Sequence, residues 1–388
     1  MGGGAGGVGA GSPEGEGRED PAVRQARIAV ALEGLGFQRA DPGSGSAASV
    51  PVNGGRVKVA WRRPAMGTLV SITAIHRSHD LLEEAVGRAF VEMERLVGLL
   101  SRYEPSSALS TLNAEGTLRD PPPELRTVVS GALRVHALSR GAFDPTVRPL
   151  VDLFRGRMLE KGCGPPEGNP PGGLPGVEEP WDPVSPDHDL RQALGLVNAR
   201  QVKLRRRAIR FGREGMGITL DGIAKGYVVD RMAEVLAKRG LADFLIDAGG
   251  DIRSAGRRED GQPWRVAVQD PDKREDFPDV LRLLDGAVAT SGSYEIYFDR
   301  DRTRHHIVSG RTGRSPWKSR SVSVVAPTAL AADALATAVF VMGPQAGSAL
   351  VDSLPHCACL VVDGMGHTLT SARWRSAKDL SNSKVGTP

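Results

Sequence analysis

Asp333 and Thr337 stand four residues apart in Ala-Ala-Asp-Ala-Leu-Ala-Thr-Ala. On a helix that spacing sets a carboxylate and a hydroxyl one turn apart on the same face. Two oxygens so placed suit a hard cation such as Mg²⁺, and the small alanines let a neighbouring backbone approach and offer carbonyl ligands. A local hydrogen bond, or charge complementarity at the helix N-terminus, accounts for the pair equally well. Lys225 and Gly226, in Asp221-Gly222-Ile223-Ala224-Lys225-Gly226-Tyr227, fall in the first turn of another expected helix. Free N–H groups and the helix dipole favour an anion there, and with the nearby Gly249-Gly250 turn the stretch suits phosphate. Thr290-Ser291-Gly292 offers hydroxyls and backbone at a strand end, a weaker phosphate signal by itself. In a strand the rings of His305 and His306 point opposite ways, so the two are not a natural metal pair. One of them facing a pocket can serve as acid, base or phosphate donor; a surface or core position is the plainer reading.

The elements that must position these groups follow from apolar spacing. Thr219 and Leu220 read as a strand end and Asp221 as the N-cap of a helix running through Tyr227, Val228, Met232, Val235 and Leu236 to Gly240. Phe244 to Ile246 is a short strand that breaks at Ala248-Gly249-Gly250. Upstream, Val57 to Ile75 reads as strands interrupted at Pro64-Ala65-Met66-Gly67-Thr68, and Leu82 to Leu100 as an amphipathic helix. A polar loop, Ser101 to Ser107, precedes Leu109, Leu112 and Asn113. Helices are expected over Glu124 to Ser139 and Leu190 to Leu196, with a hairpin over Gln201 to Phe211. Downstream come strands at Trp264 to Val268, Ala287 to Thr290 and Val322 to Val325, and the Ala-rich helix from Thr328 to Met342. Without regular strand–helix alternation, the order indicates an α+β fold.

A chain of 388 residues with 40% hydrophobic content can bury a sizeable core. Its net charge of +4 gives no case for nucleic acid. The basic run Lys203, Arg205, Arg206, Arg207 and Arg210 reads as a solvated hairpin face. Three cysteines make no disulfide framework, and Cys357 and Cys359 alternate along an expected core strand with His356 turned away. Residues 1–56 read as a Gly-rich, disordered extension with a possible short helix, 57–375 as one globular domain, 162–186 as an exposed Pro/Gly-rich insertion and 376–388 as a disordered tail. Gly4 to Gly9 matches G-x-G-x-x-G, but no strand precedes it and no helix follows; Gly217 to Gly222 has Walker-like glycine spacing but is followed by Ile223. No stretch reaches transmembrane length and no signal peptide or lipid-accepting cysteine is visible, which sets a cytoplasmic expectation, or an exported one if translation starts elsewhere.

Taken in order, these pieces resemble the ApbE family of Mg²⁺-dependent FAD:protein FMN transferases. The resemblance is carried by Met66-Gly67-Thr68, Ser101 to Asn113, Gly141 to Thr146, Asp221 to Tyr227, Gly249 to Ile252, Thr290 to Tyr294, His305-His306-Ile307 and Ala332 to Thr337. It spans about Val57 to Arg375. It implies a single T-fold-like α+β catalytic domain with FAD in a central cleft. By the family pattern Met66, Tyr103, Ala142, Phe143, Asp144, Thr219 and Lys225 line the FAD site, with Thr290, Ser291 and Gly292 beside it. Asp333 and Thr337 are the implied Mg²⁺ ligands, helped by a backbone carbonyl near Gly222, and His306 aligns with the family's functional histidine. The implied reaction moves FMN from FAD to a Ser or Thr hydroxyl of an acceptor flavoprotein and releases AMP.

Two positions depart from the family pattern. Thr219 stands where Asp is usual, and Ser309-Gly310 replaces the Asp-Pro after His306-Ile307-Val308, a change expected to loosen the histidine loop. Two other readings stay open at this stage: an FAD pyrophosphatase, with water in place of the acceptor hydroxyl, and a non-catalytic FAD-binding protein.

Overall fold

The computed structural model describes residues 1–2, 47–52, 54–160, 187–269, 271, 278–294, 296–299, 303–377 and 379–380. The short helix considered within the N-terminal extension, the 162–186 insertion and the end of the tail lie outside these residues.

A nine-stranded sheet organises the chain, in the order β1-β2-β3-β7-β8-β11-β12-β13-β14. Its members are β1 (Ala47–Val52), β2 (Arg56–Ala65), β3 (Thr68–His76), β7 (Asp243–Ala248), β8 (Asp251–Ala255), β11 (Gly286–Gly292), β12 (Ser319–Ala326), β13 (Ala358–Asp363) and β14 (Thr368–Thr370). Every neighbouring pair in it is antiparallel. Two hairpins fix the register on which the site depends. Met66 and Gly67 both take positive φ between β2 and β3, and Gly249 and Gly250 do so between β7 and β8. Two consecutive positive φ values give a two-residue turn whose twist matches the strands it joins.

Helices cover one face of this sheet: α1 (His79–Leu100), α2 (Ala108–Glu115), α3 (Pro123–Leu138), α6 (Ala224–Lys238), α7 (Ala329–Met342) and α8 (Pro344–Asp352). The main core lies between them, with Phe90, Met93, Leu96 and Phe340 fully buried against Ile72, Ile246 and Val324. Helix α7 is buried almost all round, as its alanine content requires of a helix packed on β11, β12, α6 and α8. A small sheet of β9 (Trp264–Val268), β10 (Asp279–Leu283) and β15 (Asp379–Leu380) covers the opposite face through Val266, Leu281 and Leu283, and Trp374 packs in the same cluster. A third sheet, β4 (Thr117–Arg119), β6 (Ala208–Phe211) and β5 (Val202–Arg205), closes the helical side. Helices α4 (Arg148–Glu160), α5 (His188–Gly195) and α9 (Trp374–Ala377) complete the described chain.

The α+β expectation holds, and four local expectations are corrected. Thr219 and Leu220 are buried but form no strand: Asn113 bridges to both backbone groups of Ile218, and Thr219 N–H donates to Pro145 O at 2.8 Å. Helix α6 starts at Ala224 with Ile223 as its N-cap and no side-chain cap, so Asp221 does not cap it. Ala47–Val52, within the stretch expected as a disordered extension, is an edge strand because it pairs along its whole length with β2. Asp379–Leu380, expected as disordered tail, pairs in parallel with Arg282 and Leu283.

Candidate active site

Helix α7 carries the central pair. Asp333 is buried, and its Oδ2 accepts the Gly226 N–H from the first turn of α6 at 3.0 Å. That contact is possible only because α6 crosses the start of α7 very closely: a Cβ on Gly226 would lie 2.2 Å from Ala329 O. The start of α7 is held from the same helix. Asp230 accepts the N–H groups of Ala329 and Leu330 at 2.8 and 2.9 Å, and Thr328 Oγ1 accepts that of Ala331. Burial of Asp230 pushes its carboxyl above the usual range.

One turn beyond Asp333, Thr337 Oγ1 lies 3.2 Å from Ser291 Oγ of β11. Gly222 backs onto the same hydroxyl, where a Cβ would come within 2.8 Å of Thr337 Oγ1 and 3.3 Å of the Phe143 ring. A buried carboxylate, a hydroxyl and an adjoining side-chain-free backbone are all hard oxygen donors, and this set fits a Mg²⁺ ion. Among the described residues no cluster of three or more His, Cys, Asp or Glu side chains offers a different metal site.

Lys225 follows along α6. Its Nζ lies 3.5 Å from Gly249 O and 3.8 Å from Asp251 Oδ2, so the ammonium sits over the β7–β8 turn. Gly250 N–H donates to Asp247 Oδ1, which fixes that turn, and Gly249 presses on Thr68, where a Cβ would meet Oγ1 at 2.2 Å. Thr290 Oγ1 is tied to Ser323 Oγ at 2.7 Å, and Gly292, also on β11, is buried against the Tyr294 ring. A cavity of about 150 Å³ opens between the Gly249-Gly250 turn, Thr290, Tyr294 and strand β9.

Ala142 and Phe143 are buried, and Asp144 is committed to local bonds. Its carboxylate accepts Thr146 N–H and lies 3.4 Å from His136 Nδ1, which also contacts Phe143 O at 3.0 Å. Asp221 N–H donates to Thr219 Oγ1 at 3.2 Å, so threonine at this position braces the loop before α6. Met66 is half-buried against the core. Tyr103 is 54% exposed, with the guanidinium carbons of Arg102 and Arg155 at 5.4 and 5.3 Å from its ring centroid.

His305 and His306 are not in a strand; His305 makes a single bridge to Tyr297. His305 is buried, its Nε2 bonds Pro316 O at 2.9 Å, and its ring meets Phe340 of α7 edge-on at 5.5 Å. Burial, reinforced by the neighbouring His306, pushes its imidazole down to about 3. His306 is half-buried, its N–H donates to Ile296 O, and its ring stands 6.3 Å from that of His305. The Ser309-Gly310 turn is tight rather than loose. Ser309 Oγ accepts Arg311 N–H, Ser309 N–H donates to Arg314 O, and a Cβ on Gly310 would press on Asp144 at 3.2 Å.

Arg102 was not singled out by motif or spacing. Its side chain is only 6% exposed, and it pairs with Asp152 of α4 and, at 3.6 Å, with Asp221. It thereby clamps the loop carrying Tyr103 to the loop carrying Gly222. Both partners are remote in sequence, and within the polar loop Ser101 to Ser107 nothing local sets Arg102 apart from the charge of Glu104.

Fold and site together define a one-domain α+β protein whose oxygen donors and phosphate-suited backbone converge from segments 107 residues apart at Gly226 and Asp333. Residues 66–361 match the sequence model of the ApbE family. The FAD:protein FMN transferase of Vibrio cholerae is 32% identical over 302 residues, 75% of this chain and 83% of that protein. The Escherichia coli K12 protein of the same name is 30% identical over 336 residues, 85% and 89% of the two chains. Among solved structures, the ApbE protein of Thermotoga maritima superposes with a TM-score of 0.69 at 26% identity, covering 86% of this chain and 99% of that one. The flavin transferase ApbE of Vibrio cholerae gives 0.66 at 26%, covering 86% and 100%. This chain belongs to the ApbE family.

Proposed function

We propose that the protein is a FAD:protein FMN transferase that moves FMN from FAD to a Ser or Thr hydroxyl of a target flavoprotein and releases AMP, with Mg²⁺ as its metal. The observation that carries this reading is the meeting of Asp333, Thr337 and the Gly222 backbone on one side of the site, within a chain that matches the ApbE family over residues 66–361. In the reaction the acceptor oxygen bonds to the FMN phosphorus, the P–O bond to the bridging oxygen breaks, and AMP leaves with that oxygen. Such a step requires charge neutralisation on phosphate far more than covalent help. A Mg²⁺ ion held by Asp333, Thr337 and a Gly222 carbonyl supplies part of that neutralisation when bound. Lys225, over the Gly249-Gly250 turn, offsets further charge, and His306 takes the proton of the incoming hydroxyl. Met66, Tyr103, Ala142, Phe143, Asp144, Thr219 and the Thr290-Ser291-Gly292 strand end form the FAD cleft.

The test incubates the protein with FAD, Mg²⁺ and an acceptor domain bearing a Ser/Thr flavinylation motif, reading acceptor mass and AMP together. An acceptor heavier by one FMN with equal AMP, lost on chelation and restored by Mg²⁺, is the expected result. AMP with free FMN and an unmodified acceptor makes the protein a pyrophosphatase. Bound FAD without product makes it a flavin-binding protein.

A further inference from the structure

The sheet β4-β6-β5 has two unlike faces. Val202, Ile209 and Phe211 point into the main core, joined by Leu118 and Leu204. The alternate residues point outward. Lys203 stands directly opposite Arg210, and Ala208 lies between Arg205 on one side and Arg119 on the other. All four cations are exposed, and among the described residues none has a carboxylate within ion-pair distance; the sheet's ion pair, Arg207 with Asp120, lies at its edge. Like charges directly opposite across a ladder are destabilising. With strands about 4.8 Å apart, the four cations crowd a patch only about 10 Å wide. A chain of net charge +4 thus concentrates four cations on one small flat face, with Asp120 at its edge attracting Arg119.

We propose that this face docks the protein electrostatically on an anionic lipid surface. The remaining outward residues of the patch are Thr117 and Ala208, so it holds no aromatic ring to stack a nucleobase. It has no apolar anchor around which a protein interface of useful affinity is built. A lipid surface needs neither: clustered Lys and Arg within a Debye length of the headgroups suffice.

The test is co-sedimentation of the full chain with phosphatidylcholine vesicles, with and without about one third phosphatidylserine. Wild type is expected to bind the anionic vesicles only, and to release at roughly 0.5 M salt. A K203E/R205E/R210E variant is expected to lose at least about a hundredfold in partitioning. A charge-matched control, R62E/R77E/R191E, alters exposed cations elsewhere and is expected to keep binding. FAD binding by each variant confirms that it is folded. No binding of wild type to anionic vesicles, equal loss in the control, or retained binding in the triple variant overturns the proposal. Binding to polyglutamate but not to vesicles also overturns it, and assigns the face to an acidic protein.

Discussion

Asp333 has one carboxylate oxygen tied to the Gly226 N–H, so its charge is both desolvated and oriented before any ligand arrives. Asp333→Asn keeps the shape and removes the charge; turnover is expected to fall at least about a thousandfold in the FMN-transfer assay. Near-normal Mg²⁺-dependent activity would remove Asp333 from the metal. His306→Ala is expected to slow transfer by roughly 10² to 10⁴ while FAD binding stays within about twofold, as for a proton acceptor. Loss of FAD binding with unchanged turnover of bound FAD would make it a binding residue instead. His305 predicts a pH effect on stability. Its imidazole is held near 3 in the fold, against about 6.5 when unfolded. Below pH 6.5 the unfolded chain therefore takes a proton that the native state refuses. Stability should fall as pH drops from 6.5 towards 3, by up to roughly 1.4 kcal/mol per pH unit from this group. His305→Leu should lower Tm at pH 7, because Pro316 O loses its donor, yet flatten the Tm profile between pH 6.5 and 4.5. Identical slopes in the two proteins would contradict the buried neutral ring. The Asp333–Thr337 pair was legible because its spacing encodes a shared face. Arg102 was not, because its meaning lies in Asp152 and Asp221, brought to it only by the tertiary fold.

At the level of elements, α6 and α7 act as one unit joined by side chain and backbone. Asp230 supplements the Thr328 N-cap by accepting two further N–H groups of a helix 99 and 100 residues away. Asp230→Ala leaves those donors buried and is expected to cost about 1–3 kcal/mol in denaturant unfolding, with no change in the slope m. Gly226→Ala is the sharper test of the crossing, since its Cβ has no space beside Ala329 O. It should destabilise by about 1–3 kcal/mol and also reduce turnover, because shifting the crossing displaces Asp333. A variant that loses stability but keeps full turnover would uncouple the crossing from the site. Sequence located both helices correctly by their apolar period and misplaced only the start of α6. Asp221 has the chemistry of an N-cap, but its carboxylate is drawn to Arg102 and the chain turns at Ile223 without a side-chain cap. The edge strand β1 and the short β15 were likewise illegible: each is defined by its partner strand rather than by its own pattern.

For the whole molecule, an antiparallel sheet with helices on one face and a small sheet on the other was foreseeable as α+β, whereas its strand order was not, since apolar period says nothing of neighbours. That order has a consequence for how the protein is made. Synthesis delivers strands β1 to β12 and the phosphate-suited turn before α7 leaves the ribosome, and α7 packs on β11, β12 and α6 at once. Until residue 342 has emerged, Gly226 lacks its carboxylate acceptor and the apolar side of β11 and β12 lies open. A nascent chain in that state has the walls of the proposed flavin pocket without the group proposed to hold its metal, so it is expected to be inert towards FAD and exposed to aggregation. Ribosome-bound chains stalled about 30 residues beyond Ala326, with β12 clear of the exit tunnel and α7 still inside it, should then bind a hydrophobic dye and a trigger-factor-type chaperone, and chains stalled about 30 residues beyond Met342 should release both.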